Sequence, residues 1–223
     1  MEQKNINTVT LMLAAVAGYC DIVTFIAGDN IFSAHVTGNF IVFAYQMATG
    51  GDIDAWIKLI TFPIFIIAVI TGGLMSGKVK SNKLLFVECL LLIAAGFIAL
   101  FYNQENEQKL VMYIIILLIV FALGLQNAFG KLFSKATYGP TTMMTGNVTQ
   151  ASLDLGALLF KGFKSTENVI SFKKQLITIS GFLLGCLTGA FAGKYFGLAA
   201  ILLAGGSMLV CYIISKNHAV QNQ

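Results

Sequence analysis

Thr37-Gly38-Asn39 and Thr145-Gly146-Asn147 are two copies of one tripeptide, each ending an irregular polar stretch and opening a short apolar segment. Their side chains suit one task. A helix N-terminus carries unpaired N–H groups and a partial positive charge, and in hydrocarbon those groups must find partners. Thr is a good N-cap, Gly lets another backbone approach closely, and the Asn amide both donates and accepts. Two such termini meeting inside a membrane would make a small polar spot suited to an anion or a dipolar solute. The competing reading is structural: the motifs cap their helices and glue two halves together.

Ionisable and amide side chains at depth extend the set. Asp21 lies well inside the first apolar segment, and a carboxylate there is expected to face the interior of the bundle. It could bind a cation, stay protonated, or bond a helix terminus. Asp154 follows Asn147 by two helical turns and shares its face. Gln46 occupies the corresponding place after the first motif, and Asn127 corresponds to Asp21. A buried acid bonded only for structure is the alternative for both Asp residues. Glu88, one turn into its segment and beside Lys83, is expected to snorkel to the interface. His35, just before the first motif, reads as a structural or loop group rather than a proton relay, and His218 sits in a polar tail.

The elements that must position these residues are membrane helices. The chain has 223 residues, of which 57% are hydrophobic and 11% charged, with a mean hydropathy of +0.81. Soluble domains carry about 25% charged residues. Six segments are long enough to span about 30 Å of hydrocarbon: about Thr8 to Ala27, Ala55 to Gly77, Leu84 to Tyr102, Leu110 to Gly130, Lys174 to Gly193 and Gly197 to Ser215. Two shorter ones start at the motifs, about Thr37 to Thr49 and Thr145 to Phe160, and read as re-entrant or interfacial. No basic region with a small-residue cleavage site precedes the first segment, which is expected to be retained.

Lysine placement separates two arrangements. With both motif segments dipping in and returning, the chain crosses six times with both termini inside. Lys4, Lys78, Lys80, Lys83, Lys131, Lys135, Lys161, Lys164, Lys173, Lys174 and Lys216 are then inside, and only Lys58, Lys109 and Lys194 outside. Eight crossings split the lysines six against eight at best. Positive charge on the inner side favours six. Asp52, Asp54, Glu105 and Glu107 are then all external, which agrees in sign.

The halves also match in order. Gly18-Tyr19-Cys20-Asp21 recurs as Gly124-Leu125-Gln126-Asn127, then the motif recurs, then Gly73-x-x-x-Gly77-Lys78 as Gly189-x-x-x-Gly193-Lys194, then Ala94-Ala95-Gly96 as Ala204-Gly205-Gly206. Repeats with three crossings each must be mutually inverted, which brings their discontinuous elements to the midplane from opposite faces. The glycine patterns, including Gly185-x-x-x-Gly189, allow close helix contact within one protomer or in a homo-oligomer. Tyr19 and Phe25 read as core residues, with the Tyr19 hydroxyl able to line a pathway.

Several classes drop out. The chain has no H-E-x-x-H, no G-x-S-x-G and no Walker A sequence, so no enzyme is expected. The net charge of +4, all from lysine, fits inner loops better than nucleic-acid binding. Cys20, Cys89, Cys186 and Cys211 lie in apolar segments without metal-ligand spacing and read as small core residues. No metal or cofactor is expected.

The order Gly18-Tyr19-Cys20-Asp21, Thr37-Gly38-Asn39, and a second TGN followed by Asp154-Leu155 resembles the YoaK-like family over nearly the whole chain. These are uncharacterised bacterial six-helix membrane proteins, and the resemblance implies an inner-membrane location and no established substrate. The sequence thus predicts one all-α transmembrane domain over residues 1–223, with two inverted three-helix repeats, about 8–102 and 110–216, and two re-entrant TGN helices. The expected function is a small-solute channel or secondary transporter. Its site would comprise Asp21, Thr37, Gly38, Asn39, Gln46, Asn127, Thr145, Gly146, Asn147 and Asp154. Expected partners are membrane lipids, a small solute and, where there is coupling, H⁺ or Na⁺. The alternative is a non-transporting membrane module that binds a lipid or a partner protein, with an intramembrane enzyme a distant third.

Overall fold

Each long apolar run is helical, because backbone polar groups in so apolar a chain find partners most readily within their own helix. The computed structural model describes residues 2–50, 53–77, 82–102, 109–134, 136–161 and 165–221, and among these residues there is no strand. The helices are α1 (Glu2–Ala27), α2 (Gly38–Ala48), α3 (Ile57–Ser76), α4 (Asn82–Leu100), α5 (Lys109–Leu132), α6 (Met144–Lys161), α7 (Thr166–Phe196) and α8 (Ile201–Gln221). Short 3-10 turns, Ile53–Trp56 and Gly197–Ala200, lead into α3 and α8. Of the charged residues that bear on orientation, Lys78, Lys80, Lys135, Lys164, Asp52, Glu105 and Glu107 lie outside the described residues.

Five helical stretches are long and apolar enough to cross a membrane by length and composition: Asn5–Ala27, Asp54–Ser76, Lys83–Leu100, Lys109–Leu132 and Thr166–Lys216. The last holds both α7 and α8, interrupted at Gly197, whose φ of +57° ends α7. Neither α2 nor α6 qualifies. At 11 residues, α2 is about 16 Å long, short of the roughly 30 Å of hydrocarbon.

Two helices start well ahead of their apolar runs, by six residues or more. α1 begins at Glu2, and α7 begins at Thr166 rather than Lys174. Ser165 caps α7 by accepting from the Asn168 N–H, with Glu167 in the first turn, so Lys173 and Lys174 are helical. The 31 residues of α7 give a helix of about 46 Å.

Contacts between named residues fix chain direction. Cβ atoms added to Gly181, Gly185, Gly189 and Gly193 would meet Leu11, Ala15, Tyr19 and Val23, so α1 and α7 run parallel. Ala68 meets Gly124 and Gly72 meets Ala128, so α3 and α5 are parallel. Gln126 donates to the Leu13 carbonyl while Ile116 packs on Gly28, so α5 opposes α1. Leu84 reaches back to Gly72, which sets α4 against α3, and α8 opposes α4 through Gly96 with Leu202 and Phe86 with Tyr212. The segment carrying α2 therefore joins α1 to α3 at one end of the bundle, and the segment carrying α6 joins α5 to α7 at the other.

Packing departs from the sequence reading at three places. Gly73 and Gly77 have open space around them, and Gly72 makes the close contact instead. One residue turns a helix by about 100°, so the neighbouring glycine faces α5. Glu88 does not snorkel: it is fully buried, and both carboxyl oxygens lack hydrogen-bond partners among the described residues. It shares a face with Leu84 and Leu92, both wholly buried, so the stripe that fills the core carries it inward. Lys58, expected in an outer connection, is fully buried in the first turn of α3 and paired with Asp29 at 2.8 Å.

Candidate functional site

The first polar break is built on α1. Past Ala27, Asp29 and Asn30 take left-handed conformations, φ 58° and 57°, which turn the chain back. Asp29 is held by Lys58, with the Tyr113 hydroxyl 3.5 Å away. The returning stretch passes Asp21, whose Oδ1 accepts from the N–H groups of Ala34 (2.6 Å) and His35 (3.3 Å). Asp21 Oδ2 lies 2.5 Å from His35 Nδ1. The His35 ring stands edge-on to Phe182 of α7, centroids 5.3 Å apart.

Asn39 grips the same stretch from α2. Its Oδ1 accepts from the Phe32 N–H at 2.8 Å, and its Nδ2 donates to the Phe32 carbonyl at 2.8 Å and to Thr61 Oγ1 at 2.9 Å. A motif residue proposed as a ligand thus has its whole amide engaged by the fold. Thr37 makes no side-chain cap bond and has helical angles, φ −71° and ψ −23°, so the expected N-cap is absent. The turn is closed instead by bonds such as Gly38 N to His35 O.

The second break uses different anchors. Gln126 Nε2 donates to Leu13 O at 2.8 Å and to Thr141 Oγ1 at 2.7 Å, pinning the chain just before the motif. Thr145 lies inside α6, one residue past its start, so it is not an N-cap either. Asn147 repeats the reach of Asn39 to the residue seven positions earlier, but more loosely, at 3.4 Å to Pro140 O and 3.2 Å to Met143 O.

Thr37, Thr145 and Gly146, from the two motifs, line one cavity of about 420 Å³. His35, Asn127 and Thr142 join them there, and Phe62, Phe65, Ile66, Val69 and Ile70 of α3 make its apolar wall. A second cavity, of about 560 Å³, is lined by Asp21, Phe32, His35, Gly38, Phe182 and Cys186 among others. His35 belongs to both. Asn39 and Asn147 line neither cavity, and nor do Gln46 and Asp154. Asp154 Oδ1 accepts from Gln150 of its own helix at 2.9 Å, while its Oδ2 and Gln46 Oε1 are buried without partners among the described residues.

Sequence alone does not place His35, Thr61, Gln126 or the Asp29–Lys58 pair in the site. Gln126 offered a signal, as the one amide next to Asn127 in an otherwise apolar run. Nothing local marks Thr61. Among the described residues no group of three His, Cys, Asp or Glu side chains could hold a metal ion. Hydroxyl, amide and imidazole groups opposite an apolar wall can bind and orient a small polar or amphipathic solute.

A family model described as a protein of unknown function (DUF1275) matches residues 9–214. The UPF0700 transmembrane protein YoaK of Bacillus subtilis (strain 168) is 26% identical over 168 residues, 72% of each chain. No solved structure matches.

Proposed function

The chain belongs to this family of unknown function and is a multi-pass membrane protein, and from that premise we propose that it is a small-solute channel or secondary transporter of the bacterial inner membrane rather than an enzyme. Its site is the cavity on which the two TGN motifs converge. That convergence is the observation that carries the reading: residues from matching breaks in the two halves, Thr37 and Thr145, line one space.

In this reading α1, α3 and α4 form one repeat and α5, α7 and α8 an inverted second, giving six crossings. The helix directions support it, since α1 on α7 and α5 on α3 are both parallel pairs that exchange when the repeats are exchanged. The segments carrying α2 and α6 enter from opposite ends, as re-entrant elements of inverted repeats do. Asn39 and Asn147 then act as braces, and Thr37, Thr145, Asn127 and His35 face the solute.

The apolar α3 wall favours a second reading, in which the cavity holds a lipid chain and the protein is a non-transporting module. One experiment separates the two. In a background without the native cysteines, Thr37→Cys and Thr145→Cys are exposed in vesicles to a membrane-impermeant thiol reagent from either side. Transport predicts labelling at both positions, and accelerated movement of at least one small solute class across the vesicle membrane, which Gly146→Leu blocks by filling the cavity. Labelling at neither position, with no solute moved, sinks the transport reading.

A further inference from the structure

We propose that Asp21 and His35 form a proton-binding site in the wall between the two cavities, resting on the functional reading above for what the proton drives. His35 is the side chain that both cavities share. Its Nδ1 is committed to Asp21, whereas its Nε2 has no hydrogen-bond partner among the described residues. Asp21 is 4% exposed, while the His35 side chain is 34% exposed. The pair therefore has one buried anchor and one accessible end.

The chemistry selects a proton over a metal cation. Asp21 Oδ1 already accepts two backbone N–H groups and its Oδ2 is occupied by His35 Nδ1, and no metal-holding cluster lies among the described residues. Imidazole is the side chain whose charge changes nearest to neutrality. A proton from either cavity adds to Nε2 and converts neutral imidazole to imidazolium against the Asp21 carboxylate. Its loss from Nε2 restores the starting state. The pair thereby passes between net negative and net neutral. In surroundings this apolar the two states differ strongly in solvation cost.

The other titratable groups nearby are few. Cys20 of α1 and Cys186 of α7 lie within electrostatic range of Asp21. The residues of α2, α3, α5 and the second break that line the two cavities include no titratable side chain. Asp21 also holds the N–H groups of Ala34 and His35, so a change of charge is felt where the first break is anchored, immediately before Thr37.

The test is a nitrogen-15 NMR titration of histidine-labelled full chain in lipid nanodiscs. The chain has two His residues, and His218→Gln assigns the signals. Expected is a His35 titration between pH 5 and 9, its midpoint moved by about one pH unit or more in Asp21→Asn, as removal of a charged partner requires. A His35 signal that does not titrate in that range, or that titrates identically in Asp21→Asn, overturns the proposal. Should Asp21→Asn fail to fold, the infrared band of labelled aspartate carboxylate in the native protein gives the answer. A band that shifts with the His35 midpoint supports the pair, and an unchanging band overturns it. None of these readouts needs a transported solute. A clean titration in a protein that moves nothing across vesicles refutes transport and leaves the proton site standing.

Discussion

Asn39→Ala separates brace from ligand. The change deletes three hydrogen bonds of 2.8 to 2.9 Å. Thr61 Oγ1 keeps its bond to Lys58 O at 2.6 Å and loses little. The N–H and C=O of Phe32 are left without the partner that held both. Each orphaned buried backbone group costs about 1–3 kcal/mol, and measured side-chain bonds between membrane helices average only about 0.6 kcal/mol. The lower end is therefore the better guide, and the loss is about 2–3 kcal/mol. Asn147→Ala removes two longer bonds, 3.2 and 3.4 Å, from a more accessible residue and costs under about 1 kcal/mol. Asn39→Asp keeps the acceptor and loses the donors, so it falls between. At about 2–4 °C per kcal/mol for a chain of this size, Asn39→Ala melts about 4–12 °C below the native protein. The assay is thermal unfolding of the three variants in one detergent, with cavity labelling through Thr145→Cys in parallel. Equal losses for Asn39→Ala and Asn147→Ala refute the argument, because identical motifs would then have identical roles despite different geometry.

Gly185→Ala places a Cβ 2.0 Å from the Ala15 carbonyl oxygen and forces α1 and α7 apart, whereas Gly73→Ala meets nothing and gains up to about 1 kcal/mol of helix propensity; opposite shifts in melting temperature are expected, and the same sign for both refutes the α1–α7 contact. Glu88→Leu replaces two unpartnered carboxyl oxygens in an apolar stripe and is expected to raise stability by about 1–3 kcal/mol; a lower melting temperature would mean that the carboxyl has a partner. Reporter fusions at Gln223 and at Asp54 test orientation: a cytoplasmic signal at the first and an external one at the second are expected, and a cytoplasmic signal at Asp54 sinks six crossings with both ends inside.

The apolar runs, the two TGN breaks and the lysine asymmetry were legible because each is a local property of composition and order. The start of α7 was not, because the apolar run begins at Lys174 and the Ser165 cap and Glu167 lie in a polar stretch ahead of it, eight or so residues outside the run. What could not be read was which way each side chain faces. Asp21, Asn39, Glu88 and Gly73 were all visible as unusual residues. Only the fold decides that Asp21 meets His35, that Asn39 binds backbone, that Glu88 enters the core, and that Gly72 replaces Gly73 at the contact. The physical reason is angular. Sequence fixes where a helix begins and how apolar it is, while one residue changes a side chain's direction by about 100°. That direction acquires meaning only when a partner helix, remote in sequence, packs against one face.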